Sequence, residues 1–256
     1  MDAIDPEYVC RRCGRRLSRR DDAVACPNCE TRVPVVDGVA RFPVPADGPG
    51  TVFDWLAPIY ETPLWFRPLY RFVGGPSAPR DDLAAVTELL EPDGATVLDV
   101  ACGTGRYTRH VASEAASVVG IDLSDGMLER AHRYAARDGV DDVAFARMSV
   151  DQLWFDADAV DRVACCWALH LFPDVDAALS EVRRVLRPGG WFAGGALVED
   201  YVLDVPPVRA VARGMLDADP FDREGLRGRL RDAGFGTVEF DRRGAALFFR
   251  AREANP

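Results

Sequence analysis

Apolar and polar positions follow two different periods along most of the chain. From Asp81 onward, short apolar runs bounded by turn residues alternate with segments of helical periodicity. The apolar runs predict strands at 96–101, 118–122, 143–147, 160–167 and 190–197, and the helical segments predict helices at 81–91, 106–116, 125–137, 174–187 and 222–233. Strands that alternate with helices in this way predict a parallel, doubly wound sheet.

Two further apolar segments, near 236–241 and 245–251, close the pattern without a helix between them. A parallel pair would need a connection of about a dozen or more residues, so these two strands are predicted to form an antiparallel hairpin. The predicted fold class is therefore α/β, with a doubly wound, mostly parallel seven-stranded sheet whose last hairpin is antiparallel.

Composition divides the chain into three parts. Residues 1–47 carry four cysteines and many arginines, and the Pro/Gly-rich stretch Pro43–Gly50 marks their end. Residues 51–76 are rich in aromatic side chains and interrupted by prolines, which predicts a lid segment with only short helical pieces. Residues 77–256 contain the alternating pattern. The aromatic side chains of the lid segment are expected either to line an acceptor pocket or to pack the segment on the core: Trp55, Trp65, Phe66 and Tyr70.

The first part contains two C-x-x-C pairs, Cys10 with Cys13 and Cys26 with Cys29, separated by twelve residues. Such pairs are typical of a tetrahedral site with four thiolate ligands. We predict a small ribbon with structural zinc. Iron in a rubredoxin-like centre is the main alternative, and a redox dithiol is a third.

Composition narrows the possible functions. The formal net charge is −10, and all 31 basic residues are arginine. A chain without lysine cannot form a Schiff base or a phosphate-loop lysine contact. Acidic, lysine-free composition is typical of a salt-adapted proteome, although a GC-rich genome also favours arginine.

The chain has no apolar run of about 18 residues and no signal-like N-terminus, so we expect a cytoplasmic protein without membrane insertion and with reduced thiols.

A glycine turn follows the first strand of the alternating pattern. Gly103 and Gly105 allow a ligand to approach the backbone, and Asp99 can accept a hydrogen bond from a cationic amine. Asp122 ends the next strand, where it can accept both hydroxyls of a ribose. A nicotinamide dinucleotide would need a third glycine, and that position is Thr108. The pattern therefore favours an adenosyl amino acid over a dinucleotide, and over a turn that merely connects two elements.

At these motifs the chain resembles the class I S-adenosylmethionine-dependent methyltransferases, and among them the type 11 group that includes enzymes of ubiquinone and menaquinone biosynthesis. The resemblance extends from about residue 53 to residue 252. The motifs that carry it are Val97–Gly105, Val119–Ser124 with Met127 and Leu128, Trp167–Asp174, and Val185–Gly190.

The resemblance implies a site for the methyl donor. Asp99, Gly103 and Gly105 would hold its methionine part, and Asp122 its ribose. Ala101 stands where the family has its first glycine, and Asp151 is an alternative to Ser149 as the partner of the adenine amino group. Leu123 and Met127 would flank adenine, and Tyr60 would close over the donor. The full implied set is Tyr60, Asp99, Ala101, Gly103, Gly105, Asp122, Leu123, Met127, Ser149 and Val150.

No catalytic residue is required by the pattern, because in-line positioning of an electrophilic methyl group supplies much of the rate. His170 follows a predicted strand and is a candidate general base, but a structural role bonded to a loop carbonyl is favoured. Cys165 and Cys166 alternate across the strand, so at most one can face the site, and both are expected in the core.

The acceptor stays open at this stage. A ribbon followed by a type 11 domain is similar to ribosomal RNA guanine methyltransferases with an N-terminal zinc ribbon, although those usually have a different fourth ligand. The arginines near the cysteines would offset thiolate charge, contact RNA phosphates or bind an acidic protein partner. Since the net charge repels RNA, we predict a small-molecule acceptor, with RNA base methylation and a non-catalytic scaffold as alternatives.

Overall fold

The structure is a computed structural model of the 256-residue chain. It describes residues 6–44, 54, 57–62, 82–199, 205–207, 220–243 and 246–253. Most of the predicted lid segment lies outside the described residues, including Trp55, Trp65, Phe66 and Tyr70, and so does 45–50 of the predicted boundary. The division of the chain at 47 and 76 therefore stays a prediction.

The described residues contain eleven strands and five α-helices. The strands are β1 Ser18–Arg20, β2 Ala23–Ala25, β3 Arg32–Val36, β4 Val39–Arg41, β5 Thr96–Val100, β6 Ser117–Asp122, β7 Val143–Arg147, β8 Val160–Cys166, β9 Leu186–Leu197, β10 Phe235–Arg243 and β11 Ala246–Glu253. The helices are α1 Asp82–Leu90, α2 Arg106–Val111, α3 Asp125–Asp138, α4 Val175–Val185 and α5 Arg223–Asp232, and short 3₁₀ turns occupy Val150–Gln152 and Leu169–Leu171.

All strands join one sheet in the order β1-β2-β3-β4-β7-β6-β5-β8-β9-β11-β10. The strands β7, β6, β5, β8 and β9 run parallel to one another, and β11 pairs antiparallel with both β9 and β10. These seven strands confirm the predicted α/β class with its antiparallel last hairpin.

The ribbon extends this sheet. Strand β4 pairs in parallel with β7, with Ala40 opposite Ala146 and Arg41 opposite Arg147. The sequence analysis treated the ribbon as an appendage and did not predict this pairing. No local pattern encodes it, because the two strands are about one hundred residues apart in the chain.

Two predicted element bounds differ from the observed ones by more than two residues. The helix predicted to reach residue 116 ends at Val111, because the backbone N–H of Ala116 instead donates to the carbonyl of Ala95, just before β5. The strand predicted to begin at 190 begins at Leu186, which pairs with Val160 across a register shift.

Side-chain caps define where three helices begin. Ser124 accepts a hydrogen bond from the backbone N–H of Met127, and Asp174 and Asp222 cap α4 and α5 in the same way. Each cap satisfies one of the N–H groups that a helix leaves free in its first turn. Among the described residues, none of the helices is long and apolar enough to cross a membrane.

Neighbouring residues of the central strands enter different hydrophobic clusters. Val97 packs with Leu90 and Val111 of α1 and α2, whereas Leu98 belongs to the cluster that contains Leu179 and Leu230 of α4 and α5. Successive side chains of a strand point to opposite faces of a sheet. The central strands are therefore covered by helices on both faces, as a doubly wound fold requires.

Strands β8 and β9 approach closely at Gly194. A Cβ atom there would lie 1.9 Å from the carbonyl oxygen of Cys165, which is backbone and cannot move aside without disturbing the parallel ladder. Only glycine fits this position.

We predict that Gly194→Ala lowers the free energy of unfolding by about 2 kcal/mol or more, because the added methyl group forces the two strands apart. Urea denaturation followed by circular dichroism measures this change. Gly228→Ala is the matched control, since no atom lies within 4 Å of a Cβ at this position in α5. It should raise stability by about 0.5–1 kcal/mol. Equal stability of the two variants would contradict the packing constraint.

Candidate functional site

A cavity of about 360 Å³ opens at the carboxyl ends of β5, β6, β7 and β8. Open α/β sheets bind ligands at this edge. Its lining residues are Tyr60, Val100, Ala101, Gly103, Ile121, Asp122, Leu123, Met127, Met148, Ser149, Val150, Asp151, Cys166, Trp167, Ala168, Leu171, Phe172, Pro173 and Asp174. Eight of the predicted donor-site residues are among them, and Asp99 and Gly105 are not.

The turn after β5 is built from backbone conformations that are left-handed. Ala101, Gly103 and Gly105 have φ values of 53°, 55° and 72°. Glycine reaches this region without strain, whereas alanine does so at a cost that the surrounding hydrogen bonds must offset. The backbone N–H of Cys102 donates to the carbonyl of Ile121, which fastens the turn to β6.

Asp122 connects this turn to the start of α3. Its Oδ2 accepts a hydrogen bond of 2.8 Å from the backbone N–H of Gly103, and its Oδ1 accepts one of 2.9 Å from that of Ser124. Burial raises the pKa of Asp122, and the two backbone bonds oppose this shift. Each carboxylate oxygen keeps a second lone pair, so the group can also accept two hydroxyl groups.

Asp99 lies in β5 and is buried. It accepts a 2.6 Å hydrogen bond from the hydroxyl of Thr108 in α2. Burial, together with the charge of Asp122, raises the pKa of Asp99 to about 7 against the bond from Thr108. A nearby cation would favour its ionised form.

Tyr60 closes one side of the cavity. Its ring lies 3.7 Å from the position of a Cβ at Gly103, and burial and the charge of Asp122 raise the pKa of the Tyr60 phenol to about 12. Its neighbour Glu61 accepts bonds from the hydroxyl of Thr104, at 2.5 Å, and from the guanidinium of Arg109, at 2.9 and 3.1 Å. These bonds hold Tyr60 against the turn.

A second carboxylate anchors the same part of the chain. Asp54 accepts hydrogen bonds from the hydroxyl of Ser124 and the backbone N–H of Gly126, at 2.5 and 2.8 Å. The sequence analysis missed both Asp54 and Glu61. The only sequence signal for these two residues was that an acid lies on either side of Tyr60 in the chain.

Asp151 faces the cavity from the 3₁₀ turn after β7. Its Oδ1 is buried and has no hydrogen-bond partner among the described residues. A buried acceptor without a partner is costly, so this position suits a ligand that donates a hydrogen bond, such as the adenine amino group. Ser149, the residue aligned with this role, also lines the cavity.

The other wall of the cavity is apolar and follows β8. Cys166, Trp167, Ala168, Leu171 and Phe172 line it, whereas Cys165 belongs to the core. Only one of the two cysteines therefore faces the site. The wall follows the carboxyl end of a predicted strand, and this position was the signal that could have identified it.

Hydrogen bonds fix the indole of Trp167, whose φ of 64° is unusual for a bulky residue. Its Nε1 donates to the hydroxyl of Tyr107 at 2.6 Å, and that hydroxyl donates to Asp82. Arg106 binds the same carboxylate with two nitrogens, at 2.5 and 2.9 Å. Burial opposes ionisation of Asp82, but these bonds leave its pKa below the usual value.

His170 does not line the cavity. It is buried, and its Nδ1 accepts a 3.3 Å hydrogen bond from the backbone N–H of Leu197 rather than bonding to a loop carbonyl. Burial lowers the pKa of His170 to about 3, so the ring is neutral at physiological pH. The geometry favours the structural role over the catalytic one.

The four ribbon cysteines come together in one cluster. The Sγ atoms of Cys10, Cys13, Cys26 and Cys29 all lie within 4.8 Å of one another, and those of Cys13 and Cys26 are 3.5 Å apart. A tetrahedral zinc site with Zn–S bonds of about 2.3 Å separates its sulfurs by about 3.8 Å. The donor set and its spacing fit such an ion. Zinc would act there as a structural cross-link.

Of the six arginines at positions 11, 12, 15, 16, 19 and 20, two form ion pairs. Arg11 contacts Glu181 at 3.0 Å, and Arg16 contacts Glu7 at 2.6 Å. The others are exposed: Arg12, Arg15, Arg19 and Arg20. Two of these six arginines are therefore engaged by carboxylates of this chain, and the other four lie on the surface.

Comparison with known proteins agrees with this architecture. Residues 97–190 match the family described as methyltransferase domain, and the match does not extend to the ribbon. A demethylmenaquinone methyltransferase of Clavibacter sepedonicus is 37% identical over 131 residues, which cover 51% of this chain and 50% of that protein. A sterol 24-C-methyltransferase of Aspergillus fumigatus is 33% identical over 152 residues, which cover 56% of this chain and 40% of that protein. The chain thus spans half or less of the length of these relatives.

The fold recurs in solved methyltransferases. An N-methyltransferase of Haemonchus contortus, solved in complex with S-adenosylhomocysteine, superposes with a TM-score of 0.63 at 17% identity, over 79% of this chain and 60% of that one. The chain therefore has the class I fold of S-adenosylmethionine-dependent methyltransferases, and residues 97–190 carry the match to the methyltransferase domain family.

Proposed function

We propose that this protein transfers a methyl group from S-adenosylmethionine to a small-molecule acceptor with an apolar body. The observation that carries the proposal is the arrangement of acids in one cavity. Asp122 presents two oxygens beside the glycine turn, and Asp151 presents, from the neighbouring strand end, a buried oxygen that none of the described residues bonds. A ribose diol and an adenine amino group match these acceptors.

The bound donor supplies an electrophilic methyl group on a sulfonium. The chain contributes position and the exclusion of water. Tyr60, held by the bonds of Glu61, covers the glycine turn, and Trp167 is fixed on the opposite wall by Tyr107. An acceptor held between these aromatic rings would be placed to receive the methyl group, which the bound donor would supply by giving up its sulfur–carbon bond and leaving as the neutral thioether.

The apolar wall supports an acceptor with an apolar body. Cys166, Trp167, Leu171 and Phe172 line it, and none of them is charged. The curated relatives are named for sterol and demethylmenaquinone substrates, which are small molecules. RNA base methylation through the ribbon is the alternative that the exposed ribbon arginines favour, and a non-catalytic scaffold is the other. Transfer of radiolabel from the donor to a quinone precursor, a sterol or RNA distinguishes the three.

We predict that Asp122→Ala weakens binding of S-adenosylhomocysteine by about 100-fold, because it removes charged acceptors of the ribose hydroxyls. Isothermal titration calorimetry measures the affinity. Asp156→Ala, which changes an exposed loop acid, is the matched control and should bind as the wild type does. Wild-type affinity in a folded Asp122→Ala protein would exclude the ribose role.

We predict that Asp151 makes the protein discriminate between adenine and hypoxanthine. S-inosylhomocysteine presents an oxygen where adenine has its amino group, so wild-type protein should bind it about 100-fold more weakly than S-adenosylhomocysteine. Asp151→Asn can donate to that oxygen and should narrow the preference at least about tenfold. Competition titration of the two ligands checks this, and an unchanged preference would assign the adenine contact to Ser149.

We predict that donor affinity depends on pH through Asp99, whose pKa of about 7 lies far above the usual aspartate value. The ionised form attracts the cationic amine of the donor. Affinity should therefore fall as pH decreases, about tenfold between pH 8 and pH 6, because that interval protonates the free carboxylate. Asp99→Asn keeps an acceptor for Thr108 but cannot ionise, so its affinity should be independent of pH over this interval. A pH profile like that of the wild type would refute the assignment.

A further inference from the structure

We infer that the ribbon is a positioning element of the methyltransferase site, with Arg11 and Glu181 as its positioning residues, so that metal binding at the four cysteines and donor binding in the cavity strengthen each other. The inference rests on donor binding as proposed above. Five features of the described residues carry it.

The ribbon and the methyltransferase sheet share one hydrophobic core. The largest cluster of buried side chains includes Tyr8, Cys10 and Phe42 of the ribbon together with Met148 and Leu153 beside the cavity. Strand β4 also continues the sheet next to β7. A movement of the ribbon therefore disturbs the packing at the carboxyl end of β7.

The metal ligand Cys10 lies between two residues that bind the segment after the cavity wall. The backbone N–H of Val9 donates to the carbonyl of Trp154 at 2.8 Å, and the guanidinium of Arg11 donates to the carbonyl of Leu153 at 3.2 Å. An ion that fixes Cys10 fixes the backbone that carries both donors. The metal site is thus one residue away from each contact.

Glu181 of α4 joins the same contacts from the other side. Its Oε2 accepts bonds from the backbone N–H of Leu153 at 2.8 Å and from Arg11 at 3.0 Å, and Arg184 binds both of its oxygens at 2.6 and 2.9 Å. Bonds from Arg184 offset the burial of Glu181 and keep its pKa below the usual value. The carboxylate therefore remains charged and clamps Leu153 to the ribbon.

The segment that carries Leu153 continues directly from Ser149 and Asp151, the cavity residues implied in adenine binding. Ser149 and Asp151 line the cavity, and Leu153 follows two residues after Asp151. The backbone N–H of Trp154 also lies 3.4 Å from the sulfur of Met148, another lining residue, and the Trp154 ring packs 5.0 Å from that of Phe42. The ribbon thereby sets the position of the wall that holds Asp151.

A second contact reaches the same end of the cavity through β4. Arg41 and Arg147 both pair with Asp125 in the first turn of α3, at 3.1 and 3.7 Å. Nε of Arg147 donates to the carbonyl of Leu123, which lines the cavity. Both contacts lead to the residues implied in adenine binding, so the coupling should act on the adenosine part of the donor.

The test compares zinc-loaded and chelator-treated full-length protein by calorimetric titration with S-adenosylhomocysteine. Zinc should strengthen binding about tenfold, and saturating S-adenosylhomocysteine should strengthen zinc binding, measured by chelator competition, by the same factor. When circular dichroism shows that the chelator-treated protein is still folded, this reciprocal change is a readout that a merely structural ribbon would not give. The same factor is expected for 5′-methylthioadenosine, which lacks the amino acid part.

Substitutions at Arg11 and Glu181, with Arg12→Gln as the control, keep the test decisive if removal of zinc unfolds the protein. Zinc-loaded Arg11→Gln should bind S-adenosylhomocysteine about five- to tenfold more weakly, and Arg12→Gln, at the exposed neighbouring position, should bind it as the wild type does. Both should retain one zinc ion. Glu181→Gln should weaken binding by a similar factor, and adding it to Arg11→Gln should cause little further loss, because the two residues act through one contact.

Each negative result has a separate meaning. If the zinc-loaded wild type fails to bind S-adenosylhomocysteine, the donor site itself is refuted. If the wild type binds it and neither zinc removal nor Arg11→Gln changes the affinity relative to Arg12→Gln, the donor site stands and the coupling is refuted.

Discussion

The arrangement of the site depends on the two backbone hydrogen bonds that Asp122 accepts. They join the turn after β5 to the first turn of α3, through Gly103 on one side and Ser124 on the other. Parallel strands place these chain segments at one edge of the sheet, but they do not fix the distance between them. Because the carboxylate is partly buried in the cavity wall, replacement of these bonds by water is unfavourable, and the two segments are held together.

The ribbon also covers an edge strand of the sheet. Without it, β7 would be an edge strand with unpaired backbone groups beside the cavity, and such edges invite pairing with other chains. Strand β4 covers β7, and the edge moves outward to β1, whose sequence Ser18-Arg19-Arg20 is fully exposed. Short, charged edge strands resist pairing because a second chain would have to approach and desolvate the arginines. The same strand that protects the edge therefore also transmits the position of the ribbon to the site.

The sequence predicted what local pattern encodes and missed what depends on distant contacts. Strand β7 was predicted with its observed bounds, and Asp122 and Gly103 were placed together because a strand end and a glycine turn are local signals. The β4–β7 pairing, the bonds of Glu61 to Arg109 and the contacts of Arg11 with Leu153 and Glu181 join residues that are distant in the chain. No period or composition of a short segment carries that information. The apolar wall after β8 was predictable only in part: the sequence indicates that it lies at a strand end, but not that it lines the cavity.

The charges of Asp122, which lines the cavity, and of Asp99, which does not, also bear on how the product of the proposed reaction is exchanged for a new donor. Burial raises the pKa of Asp99, and the negative charge of Asp122 raises it further because like charges repel each other in a medium of low dielectric constant. A ligand with positive charge reduces that repulsion, and S-adenosylmethionine carries a sulfonium in addition to its amine. Methyl transfer leaves the sulfur neutral, so the product offsets less of the repulsion than the donor does. Negative potential in the cavity therefore favours the donor over the product, and this difference assists exchange of the spent molecule for a new donor.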